Sequence, residues 1–272
     1  AFCVKMLGAV RQSLIFARQQ KEAGRPAGWL GWPLVATSHT WENGKNQQSH
    51  QDTTFCEALL GEMSDMVRVL FPADHNSVLA TLPAIYQARG QLACMVIPKR
   101  ERPAVFSQAQ AEQLARDGAV LVEQLDGEEP LLLMACGSYQ LAEMQRAAVR
   151  LRTAGLAYRL VYVQEPGRFR APRDRWEAEA LASPELIAQL FAPTLRRRVL
   201  LTHMRPEVAR GHLWPLLPEA SNTVVLGYRN RGGTLDEAGM QFANSATWAH
   251  ILDACAQLLQ VPLSGVLSAA EI

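Results

Sequence analysis

No apolar run in this sequence approaches the roughly 20 residues that a membrane-spanning helix needs. Nor is there an excess of charge of either sign: 27 lysines and arginines face 26 aspartates and glutamates, for a formal net charge of +1. The first absence leaves no candidate span. The second removes the electrostatic footprint of a protein whose main partner is a nucleic-acid backbone or an anionic lipid surface. Cysteines are few and odd in number (Cys3, Cys56, Cys94, Cys136 and Cys255), with no C-x-x-C spacing. That argues against a disulfide framework or a compact zinc site and for buried thiols in a reducing cytoplasm. What is present is a globular composition, 49% hydrophobic and 19% charged over 272 residues. It is enough for one large or two ordinary domains.

The order of elements follows from periodicity. Val4, Leu7, Val10 and Leu14 recur at helical spacing and predict a first helix over about 2–21, stopping near Gly24 and Pro26. The chain opens at Ala1, inside this helix, with neither an initiator methionine nor a signal-peptide layout, so it reads as the later part of something longer; a trimmed but complete domain is the alternative. Short strands are expected at 33–38, 67–72 and 92–97. Helices are expected at 55–62 and 76–89, the latter capped by Asn76. A charged stretch, Lys99 to Pro103, reads as a linker. Beyond it, strands at 131–135, 159–163, 199–202 and 223–226 alternate with helices at 139–153, 184–191, 206–216 and 247–259. The expected class is α/β: two units with mainly parallel sheets flanked by helices, divided as 1–103 and 104–272. Four arginines between Gly167 and Trp176 read as a solvated loop, with an anion or subunit contact as the alternative.

One segment is too polar for a core. S-H-T-W-E-N-G-K-N-Q-Q-S-H-Q-D, from Ser38 to Asp52, directly follows a strand expected to be parallel. Loops at the C-terminal ends of parallel strands are where open α/β sheets bind ligands. Its histidines, asparagines, lysine and glutamines suit hydroxyl groups and phosphate oxygens. Ordinary surface polarity is the competing reading. Metal binding is a weaker one, because His39 and His50 stand eleven residues apart without a compact ligand pattern.

This loop resembles the pyrimidine-domain loop of phosphoketolases, thiamine diphosphate-dependent enzymes of the transketolase-like superfamily. The resemblance rests on the strand ending A-T-S-H, the tryptophan two residues on and the S-H-Q-D that closes the loop. It continues through Val67-Arg68-Val69-Leu70-Phe71-Pro72-Ala73-Asp74-His75-Asn76 and Met95-Val96-Ile97-Pro98-Lys99, weakens from Ala104 to Arg197, and returns in patches at Gly227-Tyr228, Thr234, Met240, Asn244 and His250. It implies a partial pyrimidine-binding domain followed by a transketolase-type C-terminal domain. The implied activity is cleavage of xylulose 5-phosphate or fructose 6-phosphate with inorganic phosphate, giving acetyl phosphate and an aldose phosphate, in a cytoplasmic homodimer or higher homo-oligomer. A divergent transketolase, a separate small subunit and a non-catalytic assembly module of the same fold are the alternatives.

Carried across residue by residue, the resemblance implies that His50 donates or accepts protons at substrate hydroxyls. His39 contacts the substrate or its phosphate, Asn46 and Lys99 bind phosphate, and Ser49 and Gln51 orient. Arg100 is an off-by-one candidate for Lys99. The sequence departs from the family at Lys45, where histidine usually precedes the asparagine. A lysine holds phosphate as a point charge and is a poor proton shuttle near pH 7. No G-D-G motif occurs, and neither Glu42 nor Glu57 occupies the place of the family's cofactor-activating glutamate. The resemblance places the cofactor-binding residues upstream of Ala1. Thiamine diphosphate and magnesium are therefore expected in the whole enzyme but not on this chain alone, and no metal site is expected here.

Overall fold

Two sheets of different size order the chain in a computed structural model that describes residues 2–26, 29, 31–37, 40–42, 52–217 and 219–267. The first half runs α1 (Phe2–Glu22), β1 (Trp32–Ala36), α2 (Thr54–Leu60), β2 (Val67–Leu70), α3 (His75–Gln87) and β3 (Leu92–Val96). Ala1, at which the chain opens, lies outside the described residues, and α1 is described from Phe2 onward. The three strands of this half are all parallel, in the order β1-β3-β2. Every residue of the central strand β3 is buried, whereas β1 is a half-buried edge that leaves Val35 exposed. On α1 the apolar stripe sits one turn later than the sequence suggests. Val10, Leu14 and Ala17 are buried, Leu7 is partly so, and Val4 is exposed.

The cap of α3 also differs from expectation. Asp74, not Asn76, is the N-cap: its carboxylate accepts from the Ser77 N–H at 2.9 Å, and Ser77 Oγ accepts from the Asp74 N–H at 3.1 Å. These reciprocal bonds satisfy donors that the first helical turn leaves open. Asn76 instead donates to the Phe106 carbonyl at 2.7 Å.

The second half runs α4 (Gln108–Asp117), β4 (Ala119–Leu125), β5 (Leu131–Cys136), α5 (Ser138–Thr153), β6 (Tyr158–Val163), α6 (Arg175–Ala180), α7 (Pro184–Leu190), β7 (Arg198–Thr202), α8 (Pro206–His212), β8 (Thr223–Leu226), α9 (Glu237–Ala243) and α10 (Trp248–Leu259). The sheet order is β4-β6-β5-β7-β8, parallel except for β4, which pairs antiparallel with β6. Helices α4, α6 and α9 and strand β4 add to the pattern read from the sequence. The helix expected over 206–216 ends at His212, and a 3-10 turn, Trp214–Leu216, follows.

One hydrophobic cluster runs between the halves, holding Leu59, Val69 and Cys94 together with Met134, Val161 and Leu200. Polar ties flank it. Arg68 makes a two-pronged pair with Glu165 at 2.8 and 2.7 Å, and the Phe71 N–H donates to the Gln164 carbonyl at 2.8 Å. The arginine-rich stretch is not a solvated loop. Arg170 donates to the Leu60 carbonyl at 3.2 Å, and Arg173 to those of Gly61 and Glu62 at 2.9 and 2.6 Å, while Glu177 binds Arg173. These guanidiniums occupy carbonyls left without partners at the end of α2, which is also the negative end of its dipole. Cys56, Cys94, Cys136 and Cys255 are buried, reduced thiols, as their spacing implies; the Cys3 side chain lies outside the described ones.

Candidate active-site loop and its supports

His39, Lys45, Asn46, Ser49, His50 and Gln51 lie outside the described residues. The described residues at the two ends of their loop are Thr40, Trp41 and Glu42 on one side and Asp52, Thr53 and Thr54 on the other. The loop leaves the C-terminal end of parallel strand β1 and enters α2.

The first end is held by both halves. Trp41 is fully buried; its indole N–H donates to the His203 carbonyl at 3.2 Å, and its ring meets that of Tyr228 edge-on at 6.0 Å. Glu42 accepts from the Lys99 N–H at 3.0 Å, from the Arg100 N–H at 3.3 Å and from the Tyr139 hydroxyl at 2.5 Å. Burial and the hydrogen bond to Glu42 both push the Tyr139 phenol up, so it remains a donor. Lys99 meets Glu42 through its backbone N–H, and the residue itself is exposed. Arg100 is exposed too, with its guanidinium 4.0 Å from Glu237.

The second end is held by Arg205. Its Nη2 donates to Asp52 Oδ1 at 3.1 Å, its N–H to Glu57 Oε1 at 2.8 Å and its Nη1 to Glu57 Oε2. Asp52 Oδ1 also accepts from the N–H and the hydroxyl of Thr54, both at 2.6 Å. Burial raises the Asp52 carboxyl, but these bonds and the Arg205 charge outweigh it and hold the group below its ordinary value. Asp52 therefore stays an acceptor at neutral pH. Tyr139, His203, Arg205 and Tyr228 are the residues that sequence reasoning missed. Only Gly227-Tyr228 carried any signal.

His203 and His212 are poor proton shuttles. Burial pushes His203 down to about 3 and His212 down to about 4, the latter helped by Arg170 and Arg173; His250 is also lowered by burial, with Arg229 adding to the effect. His203 and His212, neutral throughout the physiological range, cannot exchange protons efficiently near pH 7.

The cofactor implied by the resemblance does not fit the described residues. Among them, no three His, Cys, Asp or Glu side chains stand together as a metal site. Four of the buried carboxylates are already committed: Asp74 to α3 and to the N–H groups of Val105 and Phe106, Glu165 to Arg68, Glu177 to Arg173, and Glu57 to Arg205. None of these stands in for the cofactor-binding residues that the resemblance places upstream of Ala1.

The fold is the transketolase-like α/β arrangement. A transketolase from Leishmania mexicana matches with a TM-score of 0.61 at 14% identity, over 86% of this chain and 30% of that one. A structure described as a split gene transketolase, inactive beta4 tetramer, matches with a TM-score of 0.60 at 16% identity, over 84% of this chain and 66% of that one. Within that class the resemblance is to phosphoketolases: residues 1–88 match the family model for D-xylulose 5-phosphate/D-fructose 6-phosphate phosphoketolase. A probable phosphoketolase of Lactococcus lactis subsp. lactis is 28% identical over 168 residues, 59% of this chain. The chain spans about a fifth of that relative's length.

Proposed function

We propose that this chain supplies the substrate-facing loop of a thiamine diphosphate-dependent phosphoketolase. In this reading residues 1–103 are part of the pyrimidine-type domain and 104–272 form the C-terminal domain. The observation that carries it is that the segment matched by the family model, 1–88, contains the entire loop 38–52 on the C-terminal end of a parallel strand. The whole enzyme cleaves xylulose 5-phosphate or fructose 6-phosphate and captures the two-carbon unit with inorganic phosphate as acetyl phosphate, releasing an aldose phosphate and water. Thiamine diphosphate and magnesium are held by other parts of that enzyme. His50 moves protons at substrate hydroxyls, His39 contacts the sugar phosphate, Lys45, Asn46 and Lys99 neutralise phosphate, and Ser49 and Gln51 orient. Exposed apolar side chains on α1 (Met6, Ile15, Phe16), β1 (Val35) and α3 (Leu79, Tyr86) support the reading that further protein packs on the first half. In this reading the enzyme is a cytoplasmic homodimer or higher homo-oligomer.

A second reading, a separate small subunit of a divided transketolase-like enzyme, draws on the likeness to the split gene protein. The first reading is tested in the enzyme that contains this chain, by steady-state acetyl phosphate formation. His50→Ala lowers turnover by roughly 10²–10⁴-fold, the range for general acid–base groups. Lys99→Ala mainly raises KM for the sugar phosphate. Near-normal turnover in His50→Ala removes that residue from the mechanism.

A further inference from the structure

A cleft of about 660 Å³ opens at the C-terminal ends of β7 and β8, two parallel strands of the larger sheet. Arg205 and Glu207 line it from the start of α8, and Tyr228, Arg229, Asn230 and Arg231 from the loop after β8. Gly227 brings the two loops together: a Cβ there would stand 2.4 Å from the Met204 carbonyl oxygen, so only glycine permits the approach.

The loop that presents Arg229 and Arg231 is built by one buried side chain. Asn244 is fully buried, and its Oδ1 accepts from the N–H groups of Arg229 and Arg231 at 2.8 and 3.2 Å. Its Nδ2 donates to the carbonyls of Arg231 and Met240 at 3.0 and 2.7 Å. Every hydrogen-bonding position of the amide is spent on holding this loop against α9. Asn230 adopts a left-handed conformation at φ 58°, and its side chain accepts from the Tyr228 hydroxyl at 2.9 Å.

The charge so positioned is not compensated. Arg205 is matched by Asp52 and Glu57. Among the described residues, Arg229 reaches the neutral Ser245 hydroxyl at 3.2 Å, and neither it nor the exposed Arg231 has a carboxylate partner. Glu207 is the one carboxylate on the cleft wall among the described residues. A solvated arginine needs no buried asparagine to fix its backbone. Two arginines held two residues apart, facing a third across a cleft, suit an anion that several guanidinium forks can share, and phosphate oxygens match that geometry.

We propose that this cleft binds a phosphate-bearing small molecule through Arg229 and Arg231 rather than through Lys99. Arg205 ties the cleft to Asp52. A phosphate oxygen that reaches its Nη2 competes with Asp52, the residue that closes the loop, so occupancy of the cleft bears on how that end is held.

Calorimetric titration of this chain with inorganic pyrophosphate, at ionic strength fixed with chloride, is the test. Saturable binding is expected. It should weaken at least tenfold in R229Q/R231Q and change less than twofold in Lys99→Ala, which addresses the substrate-phosphate reading instead. Circular dichroism melting confirms that the exposed arginines are dispensable for folding, and R231Q alone gives an intermediate loss. The proposal is overturned by absence of saturable binding, by unchanged affinity in R229Q/R231Q, or by a loss confined to Lys99→Ala.

Discussion

Glu177 has none of its side chain exposed and takes hydrogen bonds from the N–H of Ser64, from the N–H of Arg173 and from that arginine's guanidinium. Burial alone would raise its pKa; the hydrogen bonds and the charges of Arg173 and Arg170 bring it down to about 2. A folded-state pKa below the unfolded one contributes stability that is complete above the unfolded value, about 4.3, and is lost as pH falls from there through 2. With solvent screening around the part-exposed Arg173, the contribution is on the order of 1–2 kcal/mol. Urea midpoints of Glu177→Gln and the parent chain should therefore differ at pH 6 and converge towards pH 2.5. Arg205 allows a second prediction. Arg205→Ala leaves the buried Glu57 carboxylate without its partner, which should cost about 2–4 kcal/mol, and Glu57→Gln in the same background should restore part of it. A loss below about 0.5 kcal/mol would mean that the pair does not hold the loop's second end.

At the scale of elements, Asp74 joins α3 to the segment that leads into α4. Its carboxylate caps α3 through Ser77 and accepts from the N–H groups of Val105 and Phe106 at 2.7 and 2.8 Å. Asp74→Ala forfeits the cap and two charge-assisted bonds, so a loss of about 3 kcal/mol is expected by chemical denaturation; Asp74→Asn should lose less. The sequence misled here because Asp74 and Asn76 are both good caps, and local pattern cannot choose between them. Strands such as Leu131–Cys136 and Leu92–Val96 were legible because full burial demands a continuous apolar run. Strand β4 was not: it is a part-buried edge carrying Glu123 and Gln124. Helix α4 is rich in Gln and Ala and buries only Ala111 and Leu114 along its length. The loop was conspicuous by its polarity, whereas its supports were hidden. Trp41 and His203 are 162 residues apart, Glu57 and Arg205 148, and Glu42 and Tyr139 97. Contacts of that separation leave no local trace.

The described residues form two sheets, but hydrophobic clusters hold residues of both halves, reinforced by Arg68–Glu165, Arg205–Glu57 and the arginines on the end of α2. Urea unfolding should accordingly be a single transition, with tryptophan fluorescence and far-ultraviolet circular dichroism coinciding; two resolved transitions would show that the halves are independent. The reaction of the enzyme containing this chain is decided by product analysis with xylulose 5-phosphate, with and without inorganic phosphate, in the presence of an aldose phosphate acceptor. Phosphate-dependent acetyl phosphate, formed in step with the released aldose phosphate, is the predicted result. Transfer of the two-carbon unit to the acceptor without any need for inorganic phosphate would rule out a phosphoketolase and identify a transketolase instead.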